Sequence, residues 1–396
     1  MTNSQKKPLE KTVIATDKFK GSLSAVKAAS AIAEGLVKNG YCRSSREIRM
    51  FPMADGGEGS LDTMEQAYRA GGIPFRKITV ASCGPLGDPV DVPVLISGDG
   101  KCAFIEMAKA SGLELVAKCG KDIMKATTYG FGLVIRHLIE ESGCRRLTVA
   151  IGGSATNDGG FGMLTALGFR YANRSVFRNR DVPSFLEGVT GISDASVPDV
   201  CPHLYSTEIT VACDVSNPLT GPDGATMVFG PQKGGAKEDL GRIDAAVENW
   251  AKVITEWKHG GASAQNTGPS WNYPGAGAAG GTGFALHTVL GAQLKPGWKV
   301  FADLLHIEDE IKEADLVVTG EGKLDMQSLS GKLVSGIASL CRKYRRPLWV
   351  VTGKNELPPD VISETGITRI VDLTEIALRA GTSPFADPAG LITLSV

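Results

Sequence analysis

The fold is decided by residues 146–160, which read RLTVAIGGSATNDGG. The first six residues are mostly aliphatic or β-branched and predict a buried strand. From Gly152 onward the chain turns to small and polar residues that include Asn157 and Asp158. An apolar strand that ends in glycines, an amide and an acid is typical of the carboxyl edge of a sheet in α/β proteins, where ligands bind.

The same pattern recurs at four other predicted strands, at 12–16, 48–51, 210–213 and 315–319. The polar residues that follow them are Asp17, Lys20, Asp55, Glu58, Asp214, Asn217, Glu321 and Asp325. Helical segments alternate with these strands, which predicts an α/β fold with largely parallel strands. One acid after a strand is most often a turn residue or a helix cap. Five such strand ends together predict a polar crevice that holds a metal cation.

Three other segments carry predictions that the structure can test. Residues 172–206 lack periodicity and predict an insertion or an irregular connection. Residues 283–294 predict a helix, and the strand at 315–319 is expected to end at Gly320. Pro384 and Pro388 exclude a regular long helix near the end of the chain.

Composition bounds the class of protein. Glycine accounts for 49 of 396 residues, about 12% against a usual share of roughly 7%, yet no Gly-X-Y period indicates collagen. Lys plus Arg (42) balances Asp plus Glu (43), so we expect no nucleic-acid partner. Eight cysteines without a Cys-x-x-Cys pair, and a polar N-terminus without a secretory signal, predict a reduced, cytoplasmic protein. No apolar run long enough to span a membrane is present, so no membrane partner is expected. The sequence leaves open whether the chain forms a homo-oligomer.

Glycine loops precede two predicted helices, at 56–59 and at 275–281. Such loops let backbone N–H groups approach a phosphate, but tight turns with close packing explain them equally well. Residues 275–280 match G-x-G-x-x-G, although 269–274 do not form the strand that a dinucleotide site of an oxidoreductase requires. Lysines lie in or beside the polar loops: Lys18, Lys20, Lys233, Lys323 and Lys332. Carboxylates, cations and glycine loops together favour phosphoryl transfer.

With these loops in place, the chain resembles the bacterial-type glycerate kinases. The matching motifs follow the family's order and lie at 19–25, 54–59, 84–87, 104–108, 110–113, 151–160, 212–215, 217–219, 229–234, 274–281 and 319–332. The resemblance implies two different α/β domains with the active site in the cleft between them. One would be flavodoxin-like with a parallel sheet (11–80 plus 295–396), and the other would have a mixed sheet (81–294). It also implies that ATP and Mg²⁺ are used to phosphorylate D-glycerate, with 2-phosphoglycerate as the usual product.

Site residues are expected where the family motifs and the strand ends coincide. Catalytic roles are expected for Asp55, Asp214 and Lys20. Metal binding is expected for Asp158, Glu321 and Asp325. Substrate or phosphate binding is expected for Ser22, Gly56, Gly57, Ser154, Asn157, Lys233, Gly275, Gly277, Gly280 and Lys332.

Three features depart from the family pattern. Thr16 and Lys18 stand where the family usually has Pro and Ser beside the first Asp, residues 172–206 match poorly, and the family's long final helix is missing. The changed C-terminus supports a second hypothesis, a ligand-binding relative with impaired catalysis.

Overall fold

The computed structural model describes residues 8–117, 120–173, 181–260 and 270–396. Within these ranges the strands are β1 (Thr12–Thr16), β2 (Ile48–Pro52), β3 (Phe75–Cys83), β4 (Pro89–Ser97), β5 (Cys102–Glu106), β6 (Arg146–Ala150), β7 (Arg170–Asn173), β8 (Val189–Ser193), β9 (Glu208–Ala212), β10 (Gln293–Lys295), β11 (Leu316–Leu324), β12 (Leu348–Asn355) and β13 (Ile367–Asp372).

The α-helices of the described ranges are α1 (Ala25–Lys38), α2 (Ser60–Gly71), α3 (Ala108–Ser111), α4 (Leu113–Val116), α5 (Tyr129–Glu140), α6 (Phe161–Ala166), α7 (Val182–Gly188), α8 (Val197–Val200), α9 (Ala225–Phe229), α10 (Leu240–Lys258), α11 (Ala278–Phe284), α12 (Gly297–Leu304), α13 (Ile307–Lys312), α14 (Leu333–Tyr344), α15 (Pro359–Thr365), α16 (Leu373–Arg379) and α17 (Pro388–Ser395). Short 3₁₀ turns lie at Ser45–Glu47, Leu204–Ser206 and Pro231–Lys233, and a π-helix spans Ala285–Val289. None of the helices in these ranges combines the length and the apolar character needed to cross a membrane.

The chain divides into two compact units. The first contains the chain up to Asp55, Asp62–Pro74 and Pro296–Val396, and the second contains Gly56–Leu61 and Phe75–Lys295. The domain bounds given above stay a prediction, but residues 75–80 fall in the second unit, because β3 pairs along its whole length with β4.

The first unit is built on an all-parallel sheet. Its strand order is β13-β12-β11-β1-β2. Numbered along the chain within this unit, the order is 2-1-3-4-5, which is that of flavodoxin-like proteins. The flavodoxin-like architecture inferred from the resemblance is therefore confirmed.

Helix α1 shows how local sequence builds this unit. The Ser24 hydroxyl accepts a hydrogen bond from the Lys27 backbone N–H at 3.3 Å and caps the helix start. Ile32 and Leu36 are fully buried on its inner face. The helix stops before Gly40, whose φ of 74° is favourable for glycine. The predicted helix is thus confirmed at both ends.

The second unit contains a mixed sheet of order β10-β9-β6-β5-β4-β3. Strands β5, β6, β9 and β10 run parallel, whereas β3 and β4 pair antiparallel at one edge. Trp250 of α10 and Phe131 of α5 are fully buried in its core. Strand β6, the segment that decided the fold, is central and ends where predicted to within one residue.

Three expectations about elements were wrong. The described part of residues 172–206 contains regular elements, with the antiparallel pair of β7 and β8 and helix α7, which Asp181 caps; residues 174–180 lie outside the described ranges. Residues 283–294 are not one helix, because α11 passes into the π-helix and then into β10. Strand β11 does not end at Gly320, since its pairing with β12 continues to Leu324.

The end of the chain contains short helices rather than one long helix, as the prolines predicted. Pro388 occupies the first turn of α17, where a missing N–H is tolerated, and Asp387 caps that helix by accepting from the Gly390 N–H at 2.9 Å. Helix α17 packs on α1, where Ile392 is fully buried and the Thr393 hydroxyl donates to the Ala31 carbonyl at 3.3 Å. The departing C-terminus therefore belongs to the first unit's core.

Candidate active site

The polar loop after β1 lies at the topological switch point of the first unit's sheet. One connection from β1 leads to β2 on one side, and the later strands are added beside β11 on the other. In open α/β sheets, ligands bind in the crevice at this point. The Asp17 N–H donates to the Gly320 carbonyl of β11 at 3.0 Å, so Asp17 is fixed where the two strands meet.

Carboxylates around this switch point influence one another. Burial, and then the negative charges of Asp55 and Glu321, raise the pKa of Asp17 to about 7. The Lys18 N–H, which donates to Asp17 Oδ1 at 2.7 Å, opposes this rise. Asp55 lies 3.5 Å from Lys18 Nζ. A carboxyl group whose pKa is near 7 can accept a proton at neutral pH, as a general base must.

Glu321 carries a buried oxygen without a protein partner. The extension of β11 places this residue in register with Thr352 of β12. Burial raises the pKa of its carboxyl group. Within the described ranges, its Oε1 is solvent-inaccessible and has no hydrogen-bond partner. A buried, unpartnered carboxylate oxygen is costly unless a ligand or an ion satisfies it.

The lysine side chains near this switch point differ in the partners that they contact. Lys323 lies 3.4 Å from Asp325 and 2.7 Å from Glu356. Lys332 is exposed just before α14, and its Nζ reaches the Gln327 side-chain oxygen at 3.5 Å. Lys20 is exposed in the loop after β1. Lys20 and Lys332 are therefore better placed than Lys323 to meet an incoming anion.

These side chains line one cavity of about 780 Å³ within the first unit. Its wall brings together six predicted site residues, Lys20, Ser22, Asp55, Glu321, Asp325 and Lys332. Other lining residues are the charged Asp17, Lys18, Lys323 and Lys354, and the apolar Leu373, Pro384, Phe385 and Pro388. Such a volume is in the usual range for a substrate or cofactor pocket.

A second polar group lies in the second unit, around Lys233. The Lys233 ammonium is buried and donates to Ser154 Oγ at 3.0 Å and to the Thr156 carbonyl at 2.7 Å. Burial lowers its pKa to about 7, although Asp158 opposes this. Asn157 Nδ2 donates to Thr226 Oγ1 at 2.9 Å. Lys233 thus ties together the loop that follows β6.

Comparison with known proteins identifies the family. The glycerate kinase family model matches residues 12–387. A protein of Escherichia coli (strain K12) named glycerate 2-kinase is 39% identical over 361 residues, covering 91% of this chain and 89% of that relative. The chain belongs to the glycerate kinase family. It is a kinase that acts on glycerate, and hence a phosphotransferase with an alcohol group as acceptor.

Further relatives agree with this assignment. A glycerate kinase of Bacillus subtilis (strain 168) is 38% identical, with 92% of this chain and 90% of that protein covered. A solved structure from Salmonella typhimurium LT2, described provisionally as glycerate kinase 2, matches with a TM-score of 0.77 and 36% identity over 97% of this chain and 95% of that one.

In this glycerate kinase family member, a buried side chain already accepts from the N–H groups at the end of the loop at 56–59 and the start of α2. The Glu106 carboxylate is fully buried and accepts from the Gly59 N–H at 3.1 Å and from the Leu61 N–H at 2.8 Å. A side-chain anion therefore occupies the start of α2, where a phosphate was expected. Gly56 packs closely, since a Cβ there would lie 2.7 Å from the Ala212 carbonyl oxygen.

The glycines at 275–281 also serve packing. A Cβ at Gly277 would lie 2.1 Å from the Pro218 carbonyl oxygen, and one at Gly280 would lie 2.1 Å from the Thr156 carbonyl oxygen. Gly275 and Gly280 have φ values of 88° and 65°. These glycines let the loop at 275–281 approach two other loops of the second unit closely. The geometry favours the tight-packing alternative over the predicted phosphate loop.

Asp158 is placed as a structural anchor rather than as a metal ligand. Its carboxylate accepts from Thr127 Oγ1 at 3.1 Å, from the Thr128 N–H at 2.8 Å and from Thr128 Oγ1 at 2.9 Å. It also accepts from the N–H groups of Gly160 at 3.1 Å and Gly162 at 3.0 Å. Five donors inside the core leave little reason for a metal to bind there.

The remaining predicted residues differ in placement. Asp214 is exposed just after β9 in the second unit. Asp325 Oδ1 accepts from the Gln327 N–H at 2.9 Å and from the Ser328 N–H at 3.3 Å, so it stabilises a turn. Among the described residues, no group of three or more acidic, histidine or cysteine side chains is arranged to hold a metal ion unaided.

Asp17 and Phe385 are cavity residues that were not selected from the sequence. Asp17 was recognised as a strand-end acid, but its burial beside Asp55 and Glu321 becomes visible only in the folded sheet. Phe385 lies in the segment that departs from the family pattern and belongs to none of the family motifs, so no signal in the sequence indicated its place in the cavity.

Proposed function

We propose that this kinase transfers the γ-phosphoryl group of ATP to the 2-hydroxyl of D-glycerate and releases 2-phosphoglycerate and ADP. The observation that carries the proposal is the cavity at the switch point, whose wall combines carboxylates with the exposed lysines Lys20 and Lys332. The printed name of the Escherichia coli relative, glycerate 2-kinase, supports the 2-phosphate over the 3-phosphate. The unpaired state of the seven described cysteines is compatible with the proposed cytoplasmic location.

Proton acceptance is assigned to the acidic pair at the carboxyl end of β1. As the substrate hydroxyl oxygen bonds to the γ-phosphorus, the bond from that phosphorus to the β,γ-bridging oxygen breaks and ADP departs. The hydroxyl proton passes to a carboxylate, for which Asp55 and Asp17 are the candidates within the cavity. Asp17, which its backbone hydrogen bond to the Gly320 carbonyl fixes at the end of β1, is the base that we propose, and Asp55 keeps the catalytic role predicted from the sequence.

Lys20 and Lys332 are assigned to the transferring phosphates or to the carboxylate of glycerate. Both are exposed side chains on the cavity wall. Positive charge at such positions offsets the charge of the phosphates in the transition state. Ser22, in the same loop as Lys20, supplies a hydroxyl to this wall.

The donor set fits a magnesium ion in part. Glu321 presents a buried carboxylate oxygen without a partner, and Asp55 is close enough to act electrostatically on the same Asp17 carboxyl group. Mg²⁺ commonly uses one or two protein carboxylates together with phosphate oxygens and water. We therefore propose Glu321 and Asp55 as its ligands, in place of the predicted trio Asp158, Glu321 and Asp325. Bound Mg²⁺ would neutralise negative charge on the phosphates.

We propose different roles for the predicted site residues of the second unit. Lys233 supports the loop after β6 through Ser154 and Thr156, so we propose that it shapes a substrate-binding loop and does not itself bind substrate. Asn157 Oδ1 is buried without a partner in the described ranges and stays a candidate substrate contact. A catalytic role for Asp214 stays a prediction.

The impaired-relative hypothesis is not favoured. Its motivation was the altered C-terminus, but α17 restores a packed helix on α1, and the named relatives over about nine-tenths of the chain are glycerate kinases.

The test is turnover of ATP and D-glycerate by the purified chain with Mg²⁺, coupled to enolase without a phosphoglycerate mutase. We expect a coupled signal that depends on D-glycerate. ADP formation, measured directly without coupling enzymes, should be lost with excess EDTA. A signal only after mutase is added would replace the proposed product with 3-phosphoglycerate. No ADP formation with D-glycerate would overturn the proposed reaction.

A further inference from the structure

Phe385 is an exposed aromatic side chain on the wall of the first unit's cavity. Its relative exposure is 71%, comparable with that of Leu378 at 79% and Leu394 at 67%. Single exposed apolar residues are common and need no special explanation. Phe385 differs from Leu378 and Leu394 because it lines the cavity that holds the carboxylates and lysines, whereas they do not.

The backbone around Phe385 is held in place. The Phe385 N–H donates to Ser383 Oγ at 3.2 Å, and the Ala386 N–H donates to the Ser383 carbonyl at 3.1 Å. Asp387 then caps α17, which packs on α1. Pro384 and Pro388 flank the ring on the chain and also line the cavity. Because hydrogen bonds already hold this turn, little conformational entropy is lost when a ligand binds against the ring.

The cavity wall thus has two chemical characters. Its lining includes the charged residues Asp17, Lys20, Glu321 and Lys332, and also the apolar residues Leu373, Pro384, Phe385 and Pro388. Glycerate is a three-carbon acid whose groups are nearly all polar, so a phenyl ring offers it nothing. Of the two proposed substrates, only the nucleotide has a planar, weakly polar surface, and nucleobases stack readily on aromatic side chains.

We propose that Phe385 is the stacking surface for the adenine base of ATP, and that the C-terminal segment thereby sets the affinity for the nucleotide. The inference rests on the proposed use of ATP. It gives the segment that departs from the family pattern a direct part in substrate binding.

The test compares Phe385→Ala with Phe385→Trp in steady-state kinetics. The alanine variant is expected to raise KM for ATP about 10-fold, with kcat and KM for D-glycerate changed less than about twofold. The tryptophan variant keeps an aromatic ring and is expected to have a KM for ATP close to that of wild type. Leu378→Ala, a comparably exposed position that does not line the cavity, is the matched control and should leave every kinetic constant unchanged.

Inorganic tripolyphosphate separates base from phosphate recognition. As a competitive inhibitor against ATP it lacks a base, so its Ki should be the same for wild type and Phe385→Ala. The inference is overturned if Phe385→Ala leaves KM for ATP unchanged, or if it raises the Ki of tripolyphosphate as much as KM for ATP.

Failure of the proposed function looks different. If the wild-type chain binds ATP in calorimetry but does not phosphorylate D-glycerate, the proposed reaction is wrong. The stacking inference is still tested in that case, because it predicts a weaker ATP affinity for Phe385→Ala. Equal ATP affinity of the two proteins in that experiment would end the inference.

Discussion

At the scale of single residues, the second unit buries two charged side chains in different ways. Asp158 is fully buried and receives five hydrogen bonds, which stabilise its negative charge. Lys233 donates to one hydroxyl and one carbonyl, and burial lowers its pKa to about 7. The sequence identified both as polar residues of family motifs. It could not distinguish an anchor from a ligand, because that distinction depends on donors supplied by distant loops.

Lys233 should make stability depend on pH. The unfolded lysine keeps its proton up to about pH 10.5, whereas the folded one releases it near pH 7, so between these values the unfolded state binds more protons and stability rises with pH. We expect the free energy of unfolding of wild type, relative to that of Lys233→Met, to increase by about 1 kcal/mol from pH 7 to pH 8. Urea unfolding at the two pH values measures it.

The control for this pH effect is Lys237→Met. Lys237 is exposed, so the difference between wild type and that variant should not change with pH. A constant difference between wild type and Lys233→Met at both pH values would contradict a Lys233 pKa near 7.

At the scale of elements, strands made of continuous apolar runs could be predicted from the sequence. The end of a strand could not be predicted where pairing with a neighbouring strand decides it. Gly320, Glu321 and Gly322 suggested the end of β11, because glycine usually interrupts strands. In the structure, glycines on both strands permit close approach. A Cβ at Gly320 of β11 would lie 2.6 Å from the Val351 carbonyl oxygen, and one at Gly353 of β12 would lie 2.4 Å from the Gly322 carbonyl oxygen. The partner strand β12 therefore decides where β11 ends, and with it the placement of Glu321.

Helix α17 provides an element-scale prediction. Ile392 is fully buried between this helix and α1, whereas Leu394 on the same helix is 67% exposed. Ile392→Ala should lower the free energy of unfolding by about 2–5 kcal/mol, because it removes buried methyl groups and leaves a cavity. Leu394→Ala should stay within about 0.5 kcal/mol of wild type. Equal losses for the two variants in chemical denaturation would show that α17 does not dock on α1.

At the scale of the whole molecule, the glycine excess has two physical explanations. Some glycine-rich stretches adjoin the polar cavity of the first unit, such as Gly320 and Gly322 beside Glu321. Others, such as Gly277 and Gly280, allow loops of the second unit to pack closely. The alternation of strands and helices correctly indicated an α/β chain with largely parallel strands, and the flavodoxin-like sheet was inferred from the family resemblance. The family came from ordered motifs, because neither the sheet order nor the burial of Asp17 can be obtained from periodicity alone.

The central claim is that the cavity at the switch point of the first unit carries the phosphoryl transfer. Its most direct test is kcat of Asp55→Asn, measured with ATP, Mg²⁺ and D-glycerate beside wild type, with circular dichroism and the unfolding midpoint as controls for folding. Asp55 is a partly exposed residue paired with Lys18 at 3.5 Å, so the amide should leave the fold intact. We expect kcat to fall by about 100-fold or more, since loss of a positioned carboxylate removes proton transfer or metal binding. A folded Asp55→Asn enzyme with wild-type kcat would contradict the claim.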